Sequence, residues 1–423
     1  MLKPRLLNHP WFSPRREIAR TLVVRFLSSI QGAQLILKQP EMTDEVMGDK
    51  QSSLQIHIEI RDPCVFERMI GGGSIAAAET YIEGLWRTDA LHALLTVLAH
   101  NQSKLDRLDA GISWISDFTT ALRHRLRQNR KSTIKRTLLA HYNLNHLFYA
   151  SFLDPYMQFS SALYTDLATE NPEASLEQAQ LQKLERICQQ LKLSKQDHLL
   201  EIGSGWGGLA IYAAQHYGCQ VTTTTTSDLQ YQHCCEQVHK LGLGQQIQVL
   251  SRDYRDLYGK FDKVVSVEML ETVGENNLPQ FIRLCSERLK SGGIMVLQTV
   301  TISDHRYDSY RKSTDFIQQL IFPGTFLPAE SPLKAMFVKN HLKIVDELDM
   351  RLNYALTLQA WHRRLTGFRE QNPQKTGFNS QFFRLWHFYM AYCEAGFISG
   401  NTHAWQFTLE HKPNGKPRNH RGH

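Results

Sequence analysis

The amino-acid sequence predicts an α/β protein, in which a doubly wound, Rossmann-like sheet domain follows a smaller N-terminal α+β domain. The strongest observation is the run LLEIGSGWGG at residues 199–208, where apolar residues lead into a glycine-rich turn and helix-forming residues 209–214 follow. A strand, a tight turn and a helix in this order form the first β-α unit of a nucleotide-binding domain. Strand-like and helix-like segments then alternate as far as residue 299, which is typical of a doubly wound sheet.

The bulk composition is that of a globular protein. The 423 residues suffice for two or more domains, and 42% of them are hydrophobic and 21% charged. No stretch approaches the roughly 18–20 uninterrupted apolar residues of a membrane-spanning helix, and we identify no signal peptide. The seven cysteines include no C-x-x-C pair, so we expect neither a disulfide framework nor a metal site. These features predict a cytoplasmic protein.

Charge divides the chain into three expected segments. Residues 123–136 hold seven basic residues and no acidic one, within a net charge of +7. They predict a basic linker between an N-terminal domain (1–122) and a larger domain (137–423). The linker could be a solvated helix, or it could be attracted to an anionic lipid surface. We do not expect nucleic acid as a partner, because no recognised binding motif accompanies the charge.

The N-terminal segment predicts a small mixed domain. Residues 55–60 alternate polar and apolar side chains, as in a half-buried strand, and a helix is expected to begin at Val65. The three glycines at 71–73 predict a turn between packed elements. Helices are expected at 89–100 and 105–126. Trp114 and Phe118, one helical turn apart, favour core packing over insertion into lipid.

The second domain is expected to begin with a lid and to continue as a sheet. Residues 141–164, rich in aromatic and hydroxyl side chains, predict a lid over a ligand. A helix at 176–193 precedes the glycine-rich turn. Four further strands are expected, at 220–226, 247–250, 261–271 and 294–299, with a helix at 279–289. An insertion at 303–340, with a helix at 306–321, interrupts the alternation before strand-like residues resume at 342–352.

The strand ends predict where a ligand binds. In doubly wound sheets, ligands lie beyond the carboxyl ends of the strands. Gly203 and Gly205 suit the close approach of a ligand to the main chain. Glu201 would repel a pyrophosphate and suits a cationic ligand instead. At the later strand ends, Thr225, Thr226 and Gln230 could hydrogen-bond a ribose, and Asp253 with Tyr254 could meet an adenine.

The string E-x-G-x-G-x-G-G resembles motif I of class I methyltransferases, whose ligand is S-adenosylmethionine (SAM). The resemblance therefore implies SAM as the cofactor. The residues that it and the strand ends assign to SAM are Phe159, Ser160, Glu201, Gly203, Ser204, Gly205, Trp206, Gly207, Thr225, Thr226, Gln230, Asp253 and Tyr254.

Along nearly its whole length, the chain resembles the cyclopropane-fatty-acyl-phospholipid synthase family. Besides the glycine motif, the matching positions are His141, Tyr142, Asp154, Pro155, Gln158, Phe159, Ser160, Asp253, Tyr254, Arg255, Asp256, Ser266, Val267, Glu271, Val273, Gly274, Ile321, Phe322, Pro323, Gly324, Leu327, Pro328, Tyr354 and Cys393. Residues 61–63 and 81–86 resemble the family's small lipid-handling domain. The resemblance implies a peripheral enzyme on the inner face of the membrane, acting on unsaturated phospholipids, and a homodimer.

The resemblance also implies the reaction. A cis double bond in an acyl chain takes the SAM methyl group, and loss of a proton closes a cyclopropane. In the family, a bicarbonate ion held by a Cys, a Glu, a His and a Tyr serves as base. This sequence has Glu271 and Tyr354 at matching places, but Ser161 replaces the Cys and Gln298 replaces the His. Bicarbonate is therefore a possible second cofactor.

Because of these two replacements, the sequence does not decide which product forms. Gln298 cannot carry a positive charge or shuttle a proton as His can. Loss of a different proton would leave a methylated, unsaturated chain, as in relatives that make branched or furan fatty acids. Cys393 matches a cysteine once thought catalytic, although a packing thiol is favoured. The sequence is also compatible with a methyltransferase for a small amine and with an inactive lipid-binding protein.

Overall fold

A computed structural model describes residues 13–104, 146–372 and 378–412. Its α-helices are α1 (Pro14–Ser28), α2 (Cys64–Glu83), α3 (Leu91–His100), α4 (His146–Ala150), α5 (Pro172–Leu191), α6 (Gly208–Tyr217), α7 (Asp228–Lys240), α8 (Leu278–Arg288), α9 (Asp304–Lys312), α10 (Phe316–Leu320), α11 (Glu330–Lys339), α12 (Arg351–Gln371) and α13 (Ser380–Ser399). Its strands are β1 (Gln34–Lys38), β2 (Glu45–Gly48), β3 (Gln55–Ile60), β4 (Trp86–Thr88), β5 (His198–Ile202), β6 (Gln220–Thr225), β7 (Ile247–Ser251), β8 (Phe261–Val267), β9 (Leu289–Ile302), β10 (Leu342–Asp349) and β11 (Thr402–His411).

The chain forms two compact units. Of the described residues, the first comprises 13–104, 314–323, 372 and 378–399, and the second comprises 146–313, 324–371 and 400–412. The sequence predicts a larger domain that spans residues 137–423, and this boundary stays a prediction. In the structure α13 packs on α2 and α3, and Arg384 Nε donates to the Ile82 carbonyl oxygen at 2.7 Å. The predicted linker, 123–136, lies outside the described residues.

The first unit is built on a four-stranded sheet in the order β2-β1-β3-β4. The strand predicted at 55–60 is β3, and its side chains alternate between buried and exposed as expected. The predicted turn at 71–73 is wrong, because α2 runs through these residues with a kink at Gly73, where φ is 57°. The helix expected at 89–100 is α3. The helix expected at 105–126, with Trp114 and Phe118, lies outside the described residues.

The second unit confirms the predicted α/β sheet. Seven strands lie in the order β10-β11-β9-β8-β5-β6-β7. Strands β5 to β9 run parallel. At one edge β11 is antiparallel to β9, and β10, which is antiparallel to β11, runs in the same direction as β5 to β9. Apolar side chains from both faces of the sheet form two buried clusters. The carboxyl ends of β5, β6, β8 and β9 therefore meet at one edge, where the sequence predicted a ligand.

The interrupted region differs from its prediction. The single helix expected at 306–321 is two helices, α9 and α10. They separate because Asp315 caps the start of α10 in a capping box with Gln318. Among the helices that the structure describes, none combines the length and the apolar character that crossing a bilayer requires.

Candidate active site

The glycine-rich turn joins β5 to α6 and is open on one side. Gly203, Gly205 and Gly207 have φ values of 96°, 50° and 90°, in the left-handed region. Among the described residues, no heavy atom beyond its chain neighbours lies within 4 Å of the place where a Gly205 Cβ would be. Ser204 donates its backbone N–H to the Thr224 carbonyl oxygen at 2.8 Å. A ligand can therefore approach the main chain of this turn, as its glycines predicted.

The other side of the turn packs against residues 154–161 of the predicted lid. A Cβ on Gly208 would lie 2.2 Å from the Tyr156 carbonyl oxygen and 2.4 Å from Gln158 Nε2, so glycine is required there. The Phe159 ring stacks on Trp361, with 5.2 Å between centroids. Trp206, in the turn, lies against Tyr149 of α4, which also belongs to the predicted lid, with 5.7 Å between ring centroids. The lid residues that the structure describes therefore line the turn with aromatic side chains.

A buried lysine holds this segment in place. Lys183, on α5, is fully buried, and its Nζ donates to Gln158 Oε1 at 2.7 Å and to Ser160 Oγ at 2.8 Å. Burial lowers the pKa of Lys183 to about 8, although Asp154, Glu268 and Glu201 oppose this shift with their charges. Lys183 was not predicted from the sequence. Its position among apolar residues on one face of a predicted helix was the available signal.

Glu201 lies at the end of β5, beneath the turn. It is 3% exposed and accepts a hydrogen bond from Thr223 Oγ1 at 2.5 Å. Burial raises the pKa of its carboxyl to about 8, although Thr223 and the Lys183 charge lower it. A cationic ligand beside Glu201 would favour the ionised form. This environment suits the cation that the sequence predicted.

The residues expected near a ribose meet at the carboxyl end of β6. Thr225 Oγ1 donates to Gln230 Oε1 at 2.9 Å, whereas Thr226 is exposed. Their roles toward a ribose stay predictions.

The residues expected near an adenine follow β7. Both carboxylate oxygens of Asp253 accept from the Arg255 guanidinium, at 2.8 Å each, and these bonds lower the Asp253 pKa. Tyr254 is buried, and its ring packs on Phe281. Contact with an adenine stays a prediction for both residues.

Three predicted catalytic residues converge on a fourth residue that the sequence did not single out, Glu268. Glu268 Oε1 accepts from Ser161 N and from Gln298 Nε2, each at 2.9 Å, and Oε2 accepts from the Tyr354 hydroxyl at 2.6 Å. We call these four residues the Glu268 cluster. The Ser161 hydroxyl itself donates elsewhere, to the Ala162 carbonyl oxygen at 3.0 Å. Ser161 thus contributes its main chain to the cluster.

The backbone of Glu268 is unusual for a residue with a side chain. Its φ is 48°, in the left-handed region that non-glycine residues adopt at a cost of about 1–2 kcal/mol. Glu268 directly follows β8, and its own N–H donates to the Gln298 carbonyl oxygen at 2.7 Å. Such strain is concentrated at functional sites.

The orientation of the Gln298 amide is fixed by its cross-strand partner. Gln406 on β11 lies opposite Gln298 on β9, and Gln406 Nε2 donates to Gln298 Oε1 at 3.1 Å. The Gln298 amino group must therefore point toward Glu268. Both glutamines are fully buried. Gln406 was also not predicted from the sequence, although a polar residue between Trp405 and Phe407 was a signal.

Glu271 lies one short turn beyond Glu268. Its Oε1 accepts from Thr299 Oγ1 at 2.9 Å and from Val300 N at 2.5 Å. Its Oε2 is buried and has no hydrogen-bond partner among the described residues. Burial, and next the charge of Glu268, raise the pKa of Glu271 to about 7. A buried carboxylate oxygen without a donor suits a cationic centre.

The glycine turn and the two carboxylates are neighbours. A Cβ on Gly203 would lie 3.0 Å from Cγ of Met269, the residue that follows Glu268 directly. The segment that carries Glu268 and Glu271 therefore packs against the turn. By contrast, Cys393 belongs to the first unit, on α13, and its catalytic role stays a prediction.

A bicarbonate ion does not fit the Glu268 cluster. The donors that it would need, from Ser161, Gln298 and Tyr354, already bind the Glu268 carboxylate. A second anion among them would face that carboxylate without donors of its own.

Comparisons with known proteins identify the family of this chain. The family profile described as mycolic acid cyclopropane synthetase matches residues 128–407. Tuberculostearic acid methyltransferase UfaA1 of Mycobacterium tuberculosis is 34% identical over 354 residues, 83% of this chain and 82% of the relative. The cyclopropane-fatty-acyl-phospholipid synthase of Escherichia coli K12 is 30% identical over 359 residues, 82% of this chain and 86% of the relative.

Solved structures share the fold. The cyclopropane synthase MmaA2 from Mycobacterium tuberculosis superposes with a TM-score of 0.57 at 24% identity, over 64% of this chain and 96% of that one. The mycolic acid cyclopropane synthase CmaA1, complexed with SAH (S-adenosylhomocysteine), has a TM-score of 0.57 at 25% identity over the same shares. Because the family profile spans more than half of the chain and relatives of at least 30% identity align over most of their length, this chain belongs to the mycolic acid cyclopropane synthetase family of SAM-dependent lipid C-methyltransferases.

Proposed function

We propose that this enzyme methylates a carbon of the cis double bond in an unsaturated phospholipid acyl chain, and that the product stays open and unsaturated. The observation that carries this proposal is the pair of carboxylates, Glu268 and Glu271, beside the glycine-rich turn. An acyl double bond that takes a methyl group becomes a carbocation. Fixed carboxylates stabilise such a charge without having to reorganise.

The residues around the turn fit SAM. Gly205 leaves the main chain open, and Glu201 suits a ligand with ammonium and sulfonium charges. Thr225 and Gln230 lie where a ribose is expected. When bound, SAM supplies an electrophilic methyl group.

The chain itself must position the alkene and keep water away. Phe159, Trp361 and Tyr149 pack together beside the turn, and their rings present apolar surface. A carbocation exposed to water would be quenched, so a dry, aromatic surrounding is what this reaction needs. Because the sulfonium is already activated, the enzyme needs no nucleophilic side chain, and a covalent role for Cys393 is not required.

Two observations favour an open product over a cyclopropane. The family's bicarbonate site is altered at Ser161 and Gln298, and it holds Glu268 instead of leaving room for an anion. Two relatives named as methyltransferases, UfaA1 and, over 282 residues, a probable fatty acid methyltransferase of Pseudomonas putida, are each 34% identical to this chain. The Escherichia coli cyclopropane synthase is 30% identical, so the methyltransferases are the more similar of these relatives. Phospholipid as the form of the substrate, action at the membrane surface and a homodimer are further parts of the proposal, which rest on the resemblance.

Mass spectrometry of membrane fatty acids tests this function. The chain is expressed in a host that makes no cyclopropane fatty acids, with methionine carrying a deuterated methyl group. We expect a gain of one carbon with three deuteriums retained and the unsaturation kept. Two retained deuteriums and a lost double bond would identify a cyclopropane and refute the open product. Unmodified fatty acids, with methyl transfer to a small amine instead, would refute the acyl substrate.

A further inference from the structure

We propose that the Glu268 carboxylate is the resident base of this enzyme and takes the place of an external bicarbonate ion. This inference rests on the proposed function for its substrate, but its structural part does not. The Glu268 side chain receives three hydrogen bonds from three separate segments, those of Ser161, Gln298 and Tyr354. Three donors around one carboxylate form an anion site, and here the anion is part of the chain.

The hydrogen bonds assign different roles to the two carboxylate oxygens. Oε1 accepts from two N–H groups, which use both of its lone pairs. The Gln298 amide cannot turn its oxygen toward Oε1, because Gln406 donates to that oxygen. Oε2 accepts from the Tyr354 hydroxyl alone among the described residues, so one lone pair remains. A proton from the substrate would therefore be accepted at Oε2.

The proton-transfer step balances with this assignment. After the alkene has taken the methyl group, a C–H bond next to the cationic carbon breaks, and its electron pair forms the new C=C bond. The proton moves to Glu268 Oε2, and the carboxylate becomes a neutral carboxylic acid. The acid returns this proton to water before the next turnover.

The backbone conformation of Glu268 also favours a functional role for this residue. A left-handed φ of 48° is available to glycine without strain, and glutamate adopts it only at a cost. That strain is tolerated here because the carboxylate satisfies donors that would otherwise be buried without an acceptor. The left-handed φ also makes a direct test available, because Glu268→Gly keeps the backbone conformation and removes the carboxylate.

The test compares wild type, Glu268→Gln and Glu268→Gly in carbon-dioxide-free buffer, with and without added bicarbonate or formate. Product from vesicles of unsaturated phospholipid is measured by mass spectrometry, and SAM affinity by calorimetry. Wild-type turnover should not respond to bicarbonate. Both variants should lose at least about 100-fold in kcat with SAM affinity within a few-fold. Bicarbonate or formate should restore Glu268→Gly by roughly tenfold or more, but not Glu268→Gln, whose amide fills the site.

A matched control is Glu185→Gln. Glu185 is a partly exposed carboxylate on α5 that also accepts from tyrosine hydroxyls, Tyr212 at 2.8 Å and Tyr217 at 2.9 Å. Its substitution should leave turnover unchanged. Bicarbonate-dependent wild-type turnover, or a Glu268→Gly variant as active as wild type, would overturn the proposal.

Titration of ¹³C-bicarbonate followed by NMR separates this inference from the proposed function. We expect line broadening with Glu268→Gly and none with wild type, whatever the substrate. Broadening with wild type would overturn the replacement of bicarbonate. A wild type that neither binds bicarbonate nor methylates acyl chains would overturn the proposed function, and with it the role of Glu268 as proton acceptor.

Discussion

Replacing Gly208 by alanine tests whether residues 154–161 are held against the glycine turn as the structure has them. The new Cβ would lie 2.2 Å from the Tyr156 carbonyl oxygen, compared with 3.4 Å for an ordinary contact, so the segment must retreat by about 1.2 Å. Overpacking of this kind costs about 1–3 kcal/mol. Because the obstacle is backbone, a change of side-chain rotamer cannot relieve it.

The movement of residues 154–161 should also change contacts in the active site. Residues 158 and 160 bind Lys183, and Ser161 N donates to Glu268 at 2.9 Å, so all three contacts lengthen when the segment moves. We therefore expect Gly208→Ala to lower the unfolding free energy of the second unit by about 1–3 kcal/mol. We also expect a weaker SAM affinity and a lower kcat. Thermal denaturation, calorimetry with SAM and the vesicle assay measure these three effects.

Gly367→Ala is the matched control. Gly367 lies in the interior of α12, and a Cβ there would meet no heavy atom within 4 Å among the described residues. Alanine should stabilise this helix by about 0.5–1 kcal/mol. If Gly208→Ala proved as stable as Gly367→Ala and bound SAM as wild type does, the packing of residues 154–161 against the turn would be refuted.

Three further predictions concern charge. Glu271→Gln should reduce turnover at least about 100-fold while SAM affinity stays within a few-fold, since the carboxylate faces the reaction; near-normal turnover in the vesicle assay would remove it from the mechanism. Because burial raises the pKa of Glu201 to about 8 and a cation binds its ionised form, the SAM dissociation constant should fall as pH rises from 6 to 8, by up to about tenfold per pH unit. Calorimetry with Glu201→Gln should show this dependence lost, and a pH-independent wild type would contradict the assignment. Neutralising Arg123, Arg125, Arg127 and Lys131 should weaken binding to anionic vesicles, most at low salt. If the variant sedimented with vesicles as wild type does, residues 123–136 would not bind lipid and would serve only as a linker.

Much of the second unit could be predicted from the sequence because its signals are local. An apolar strand, a glycine turn and a helix are each encoded within ten residues, and the alternation of strands and helices fixes the class of sheet. Glu271 and Tyr354 were predicted as catalytic residues through short matching motifs. The antiparallel strand β11 was missed, because its pairing with β9 joins residues about a hundred positions apart or more.

The Glu268 cluster depended on tertiary structure. Glu268 stands between Val267 and Met269, and nothing in that run indicates that its backbone turns left-handed or that its carboxylate meets donors 107, 30 and 86 positions away. Lys183 and Gln406 were missed for the same reason. A sequence determines which groups can donate and accept. Which lone pair each donor meets depends on how distant segments pack, and in this protein that packing brings three donors to the Glu268 carboxylate.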